Sequence, residues 1–471
     1  MGIGITIIFI NINGREQQNT ILARPFKKFT AMKYLFSLLL TIPFFFCRVG
    51  AQPAQVPQTA QRVITSDIDH FWIAYDSAQT TTDSIQQLRY IQTLYIDKGT
   101  PGLKAFMELR HYSAPLWVHL LRIYPKFWQS IRPNTLAVKS YAPAIEASIR
   151  QFKKLYPPLS DAKMYFTVGG LRSGGTTRDS MILIGTEIAT GDPGTVVSEF
   201  PNKYLASAFQ KQKIDNIVPL NIHEYVHTQQ HQVAASDLLG KCLQEGSADF
   251  ITELVMDKPR VTDYISYGHA HEPELKKEFV EEMFSDATIS HWVYNGSITK
   301  TMADLGYFMG YAICGSYYRQ AKDKNQAIRD IIQLDYSDTV ATEKFLKQSG
   351  YITEPYNKGD LLAGLSKRLP TITGLTPFSN GDSAVDPSLT ELTISFSAPM
   401  IPGNYSISKG EKGTEYPITK VIGFTGDNRT LPLQVALEPG HTYEFICTGW
   451  GFTSTDGYSL QEYKVDFKTR P

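Results

Sequence analysis

The sequence has no excess of charge of either sign. Its 46 lysines and arginines match its 46 aspartates and glutamates, and no long run of like charge occurs. Proteins that bind nucleic acid or anionic membrane surfaces usually carry clustered basic residues. We therefore expect no nucleic-acid partner.

Cysteine is scarce, with four residues in a chain of 471. Cys47 lies near the N-terminus, and the other three are Cys242, Cys314 and Cys447. The three cysteines that follow the N-terminal segment are an odd and sparse set, which does not provide a disulfide framework. The 42% of apolar residues can instead build large hydrophobic cores, and the length predicts two or three domains.

The N-terminal apolar segment, residues 34–46, is too short to span a bilayer. It follows Met32-Lys33 and precedes small residues, a pattern typical of a signal peptide cleaved after Ala51. We expect residues 1–51 to be upstream residues and signal peptide, with the true start at Met32. The mature protein is then secreted, periplasmic or on the cell surface, with no stable membrane span.

Cys47 offers an alternative, because it could be the acylated residue of a lipoprotein. Three phenylalanines precede it, whereas this processing usually requires small residues. We therefore favour cleavage after Ala51.

The motif HEYVH at residues 223–227 is the most informative feature that is present. On a helix, His223 and His227 lie one turn apart on a single face, which suits two corners of a tetrahedral zinc site. Glu224 would then lie beside the open metal position, where a carboxylate can take a proton from bound water.

A third ligand is offered by Glu245, which lies in a helix-like stretch. Asp249, one turn further on, can hold a ligating imidazole through its other nitrogen. The alternative for this acidic pair is a solvated helix face, which the apolar residues around it disfavour. His231 is a weaker candidate, because three histidines along one straight helix span about 12 Å. Cys242 is better interpreted as a small buried residue.

The order and spacing of five residues resemble the HExxH…ExxxD pattern of the gluzincin metallopeptidases. These residues are His223, Glu224, His227, Glu245 and Asp249. The longer stretch from HEYVHTQQ to CLQEGSADFITEL is also similar to uncharacterised bacterial zinc proteases. The resemblance implies a zincin-like α+β catalytic domain, zinc as cofactor, and a peptide or protein substrate. It also implies that Glu224 acts as the general base.

Gluzincin-like enzymes commonly stabilise the tetrahedral intermediate with a tyrosine or histidine downstream of the third ligand. Tyr307 and Tyr311 lie one turn apart beside glycines and are the candidates for this catalytic role. Core packing is the alternative role for either tyrosine.

The resemblance implies a catalytic domain over residues 62–368, and the periodicity predicts that its N-terminal part, up to about residue 156, is helical. Strands are predicted at residues 164–168 and 181–185, joined by a glycine-rich loop at the rim of the site. The second strand could align an extended peptide by edge pairing. The motif helix should run to about Gln232, and Gly246 should allow the next helix to approach it closely.

Near Pro370 the composition changes to short alternating strands separated by turn residues. This pattern predicts a β-sandwich over residues 371–471. The segment also resembles the bacterial Ig-like domains appended to exported proteins.

The sequence thus predicts an exported zinc metallopeptidase of α+β class with a C-terminal Ig-like sandwich. Zinc would be held by His223, His227 and Glu245, with Asp249 behind them. The alternatives are a non-catalytic envelope or surface protein that keeps a structural metal site, and a zinc amidase with a non-peptide substrate.

Overall fold

The computed structural model describes residues 61–201, 209–210, 212–231, 233–296, 298–403, 405–410, 414–449 and 451–471. Residues 62–471 belong to one compact unit. Helices dominate up to residue 366 and strands dominate after it, so the predicted α+β class is confirmed. The predictions for the signal peptide, Met32 and Cys47 concern residues outside the described part of the chain.

The helices, in chain order, are α1 (Ser66–Gln79), α2 (Ser84–Tyr90), which continues as a π-helical turn (Ile91–Ile96), α3 (Pro101–Arg110), α4 (Ala114–Ile123), α5 (Pro125–Leu155), α6 (Thr186–Ala189), α7 (Ile217–His227), α8 (Leu238–Met256), α9 (Asp263–Ala270), α10 (Glu272–Glu282), α11 (Ile289–Trp292), α12 (Leu305–Gln320), α13 (Lys324–Ile332), α14 (Thr339–Ser349) and α15 (Lys358–Ser366). The strands are β1 (Val63–Ile64), β2 (Lys163–Thr167), β3 (Gly175–Arg178), β4 (Met181–Gly185), β5 (Ile372–Thr376), β6 (Glu391–Phe396), β7 (Ile407–Lys409), β8 (Ile418–Val421), β9 (Thr430–Val435), β10 (Thr442–Cys447) and β11 (Tyr463–Lys468).

Helices α1 to α5 confirm the predicted helical N-terminal region. Side-chain caps mark helix starts, since Asp83 accepts from the amide of Ile85 and Thr100 accepts from the amide of Leu103. Large aromatic side chains are buried between these helices and are packed edge to face. Within the described residues, no helix is long and apolar enough to cross a membrane.

The first sheet has the strand order β1-β2-β4-β3, with β3 antiparallel to β4 and the other pairs parallel. Both edges of β4 are therefore hydrogen-bonded, so the predicted edge pairing with a peptide at residues 181–185 is wrong. Part of the predicted glycine-rich loop is instead strand β3, whose pairing to β4 uses its backbone groups.

Helix α8 is buried along most of its length and crosses α12 at a pair of glycines. A Cβ on Gly246 would lie 2.1 Å from the backbone nitrogen of Tyr311, and one on Gly310 would lie 1.7 Å from the carbonyl oxygen of Cys242. Gly246 therefore allows close approach to α12, and not to the motif helix as predicted.

After residue 370 the chain forms two antiparallel sheets, β5-β6-β9-β8 and β7-β10-β11. Alternate side chains, among them Leu392, Phe445 and Val465, point into a shared hydrophobic core. The predicted change from helix to strand near Pro370 is thus confirmed, while the division into separate domains at this point stays a prediction.

Candidate metal site

Helix α7 presents both histidines of the motif to the interior. His223 and His227 are 5% and 8% exposed, so neither imidazole is left to solvent. Pro219 lies in the first turn, where its missing N–H costs no helical hydrogen bond. The helix ends at His227, earlier than the predicted Gln232, and the exposed His231 contacts the carbonyl oxygen of Gln333 instead.

Helix α8 brings the third predicted ligand to the two histidines. Asp237 caps this helix by accepting from the amide of Gly240 at 2.8 Å, which fixes where the helix starts. Glu245 Oε2 then lies 3.2 Å from His227 Nε2 and 3.7 Å from His223 Nε2. The two Nε2 atoms are 3.1 Å apart.

These three distances fit one metal ion. Ligand atoms around a tetrahedral zinc ion with bonds of about 2.0 to 2.1 Å are separated by about 3.3 Å. His223, His227 and Glu245 each offer one donor atom, and these three atoms lie within 4.8 Å of one another. Two imidazole nitrogens and one carboxylate oxygen are a donor set that zinc accepts readily.

The tautomer of each imidazole is set by an acceptor behind it. Asp249 Oδ1 lies 3.0 Å from His223 Nδ1, and Gln230 Oε1 lies 2.7 Å from His227 Nδ1. Gln230 is oriented by its amide nitrogen, which donates to the carbonyl oxygen of Gln244 at 2.9 Å. A proton on each Nδ1 leaves a lone pair on each Nε2, directed at the carboxylate.

Nitrogen lone pairs that face one another in a buried site must be separated by a positive charge, which a shared proton or a metal ion can supply. Burial lowers the pKa of His223, but the carboxylates of Asp249 and Glu245 outweigh it and raise that pKa to about 10. Beside the histidines, Glu224 Oε2 is buried with no hydrogen-bond partner among the described residues. Burial raises the pKa of Glu224 to about 7, although both histidines oppose it. An orphaned carboxylate oxygen beside three converging ligands fits a metal site.

Two donors hold Oε1 of Glu245, the carboxylate oxygen that does not face the histidines. Lys241 Nζ donates to Oε1 at 2.7 Å and the Tyr294 hydroxyl donates to the same atom at 2.6 Å. This arrangement leaves Oε2 for the metal. Burial raises the pKa of Glu245, but Lys241 and His227 hold it well below the ordinary value, so the carboxylate is charged.

Asp249 is charged for a similar reason. Its oxygens accept from Arg260 Nε at 3.0 Å and from the Tyr264 hydroxyl at 2.6 Å. Burial raises the pKa of Asp249, but His223 and Arg260 lower it to about 2. Asp249 therefore contacts the imidazole that it was predicted to hold. Its role behind a metal ligand stays a prediction.

One side of the three ligands faces a cavity of about 250 Å³. Glu224, Lys213, Asn216 and Tyr307 contribute to its wall. The Tyr307 ring is stacked on His223 with 6.1 Å between ring centroids. Tyr311 is not among the residues that line this cavity, and its hydroxyl donates to Glu253 at 2.6 Å.

Gln230, Lys241, Tyr294, Arg260 and Tyr264 were not predicted. Gln230 follows the end of α7, and Tyr294 is separated from Glu245 by 49 residues. Lys241 alone had a sequence signal, because it lies one helical turn before Glu245 and opposite charges at that spacing attract.

One family model matches the part of the chain that contains the candidate metal site. The family model described as "Gliding motility protein GldB" matches residues 58–352, which include every residue of the candidate metal site. No curated protein matches the chain.

Among solved structures, the chain is similar to CopC from Methylosinus trichosporium OB3b, with 20% identity over 22% of this chain and 94% of that chain and a TM-score of 0.19. It is also similar to the N-terminal part of the bacterial S-layer protein SbsC, with 18% identity over 54% of this chain and 58% of that chain and a TM-score of 0.17. TM-scores this low do not indicate a shared fold or function.

Proposed function

The chain belongs to the family of the gliding motility protein GldB, and on this basis we propose that it is a non-catalytic envelope protein that takes part in gliding motility. We further propose that a metal ion stabilises its fold. The family match over residues 58–352 supports the functional part, and the convergence of three ligand atoms supports the metal.

The interpretation as a gluzincin-like zinc metallopeptidase is wrong, because the family to which the chain belongs is that of a gliding motility protein. The predicted hydrolysis of a peptide or protein substrate is wrong for the same reason. The catalytic roles predicted for Glu224, Tyr307 and Tyr311 depended on that activity. The motif misled because its spacing specifies where metal ligands lie, and not what the bound metal does.

The family is one of cell-envelope lipoproteins, which is consistent with the predicted surface or periplasmic location. It also supports the alternative in which Cys47 is acylated over the favoured cleavage after Ala51. A component of a motility apparatus acts by contacting other components. We therefore expect protein partners in the envelope in place of a peptide substrate.

Zinc is the metal that we propose, with His223, His227 and Glu245 as its ligands. Two ligands belong to α7 and one belongs to α8, so an ion at this place would join the two helices. The free energy of metal binding then adds to the free energy of unfolding, because the unfolded chain does not hold the ligands together.

Motility of the host bacterium tests this function. The gene would be deleted and replaced by variants, and cell movement on glass would be tracked. We expect deletion and Glu245→Ala to abolish gliding, because the latter removes a metal ligand. Glu224→Gln should glide at a speed within about twofold of wild type, because Glu224 is proposed neither to bind the metal nor to catalyse a reaction.

His231→Gln is the control, since His231 is an exposed histidine outside the site. Immunoblots would establish equal protein levels. Normal gliding of the deletion strain would refute a role in motility. Loss of gliding in Glu224→Gln at normal protein level and normal zinc content would show that this carboxylate acts chemically and would refute the non-catalytic proposal.

A further inference from the structure

The turn at residues 456–459 of the C-terminal sandwich contacts the helical part. The amide of Ser459 donates to the carbonyl oxygen of Ala287 at 2.8 Å. The hydroxyl of Tyr458 donates to Glu282 Oε1 on α10, also at 2.8 Å. Both bonds connect the sandwich to the segment that runs from the end of α10 to the start of α11.

His291 on α11 lies at the centre of this contact. Its Nδ1 is 2.6 Å from the carbonyl oxygen of Asp456, and its Nε2 is 3.2 Å from Glu278 Oε1 on α10. The ring is stacked on Tyr458 with 4.6 Å between centroids. A carbonyl oxygen and a carboxylate oxygen accept hydrogen bonds, and a neutral imidazole has a single N–H. Both contacts are therefore satisfied only when both ring nitrogens carry protons.

The charges around His291 favour that protonated form. From α10, Glu278 faces Nε2 and Glu282 lies nearby, while Arg368 lies 3.5 Å from Glu282 Oε1 and balances part of its charge. Arg368 also lies 3.6 Å from Glu281. From the sandwich, the approaching groups are the Tyr458 ring and the backbone of the 456–459 turn.

A metal ion is a poorer occupant of this cluster. Both oxygens of Glu282 already accept hydrogen bonds, one from Tyr458 and one from Trp292 Nε1 at 2.8 Å. His291 Nδ1 is directed at a backbone carbonyl, and its Nε2 is directed at Glu278. Protons on the imidazole supply the positive charge that the glutamates require.

We propose that protonated His291 fastens the 456–459 turn of the sandwich to helices α10 and α11, and that this contact loosens when His291 loses its proton. Burial lowers the pKa of His291, but Glu278 and the Asp456 carbonyl raise it above the ordinary value of 6.5. A raised pKa means that the docked form binds the proton more tightly than the undocked form. The stabilisation is therefore complete below about pH 6.5 and is lost as the pH rises through the pKa of the docked form.

The protonation state can be read from the full-length protein labelled with ¹⁵N-histidine. The His291 signals would be assigned by their absence from the spectrum of His291→Gln. We expect both ring nitrogens of His291 to be protonated at pH 6, and the signals to titrate with a midpoint above the ordinary value of 6.5. A single protonated nitrogen at pH 6, or a midpoint at or below 6.5, would overturn the proposal, and this readout does not depend on a variant that folds well.

Docking can be read from hydrogen exchange at the Ser459 amide, expressed relative to its intrinsic rate at each pH. Wild-type protection should fall about tenfold or more as His291 titrates, because a charge-assisted hydrogen bond is lost. His291→Gln should show low protection at every pH.

His441→Gln is the matched control, because His441 also lies between two glutamates, Glu415 and Glu438, but within the sandwich. It should keep the wild-type protection and its pH dependence. Protection at Ser459 that is unchanged in His291→Gln, or that falls equally in His441→Gln, would refute the proposal.

Discussion

Two acceptor side chains decide which nitrogen each imidazole turns toward the candidate metal. Asp249 accepts from His223 and Gln230 accepts from His227. Each contact places the proton on Nδ1 and directs the lone pair of Nε2 at Glu245. The affinity of the site for a metal ion should therefore depend on residues that are not themselves ligands.

Gln230→Ala tests this dependence at the scale of a residue. Loss of the acceptor leaves the His227 ring free to rotate and to change tautomer, so we expect the affinity for zinc to fall by about 10- to 100-fold. Competition with a chromophoric chelator measures the affinity. Gln229→Ala is the control, because this neighbour contacts Ser160 and not the histidines. Equal affinities in both variants would show that the outer contact is unimportant.

Helical periodicity predicts that His223 and His227 share one helix face and that Glu245 and Asp249 share another. That the two pairs would meet was implied by the resemblance to the HExxH…ExxxD pattern. Gln230 and Tyr294 could not be predicted, since their positions depend on how the chain turns after α7 and α11. The sequence could not separate Tyr307 from Tyr311 as candidates. Tyr307 lines the cavity, whereas the hydroxyl of Tyr311, one helical turn further on, donates to Glu253.

At the scale of the element, the crossing of α8 and α12 sets the position of Glu245. Cys242, Gly246 and Gly310 meet at this crossing, where the two backbones are in contact. A side chain larger than hydrogen at Gly310 would push α12 away from α8. The buried ligand helix is thus positioned by backbone packing as well as by its own hydrogen bonds.

Gly310→Ala tests the crossing. The new methyl group would meet the Cys242 carbonyl, so we expect the free energy of unfolding to fall by about 1 to 3 kcal/mol or more. Urea unfolding followed by circular dichroism measures this change. Gly364→Ala is the matched control, since it lies in exposed helix α15 with no atom within 4 Å of the new Cβ, and it should stabilise by up to about 1 kcal/mol. A Gly310→Ala protein as stable as wild type would contradict this view of the packing.

The type of each element, helix or strand, was predicted better than which elements pair or pack with one another. Alternating residues indicated strands at 164–168 and 181–185, but no local pattern showed that β3 would pair with β4. The same limit applied to Gly246, whose partner helix is α12. Pairing between elements depends on contacts that are distant in sequence, and a single sequence does not reveal them.

At the scale of the whole molecule, the helical part and the sandwich have different compositions but lie in one compact unit. The change near Pro370 was visible in the sequence because turn residues and alternation replace helical spacing. The contact between the two parts was not visible, since Tyr458 and Glu282 are 176 residues apart. The boundaries at 62–368 and 371–471 remain predictions about independent folding.

Metal content and thermal unfolding of the full-length protein, measured together, test the proposed stabilising metal. We expect about one zinc ion per chain, and we expect its removal by a chelator to lower the melting temperature by about 5 °C or more, with recovery when zinc is restored. Glu245→Ala should lack zinc and should melt at the same temperature with and without the chelator. A wild-type protein that contains no zinc after purification with added zinc, or whose melting temperature does not respond to its removal, would contradict a metal that holds α7 and α8 together.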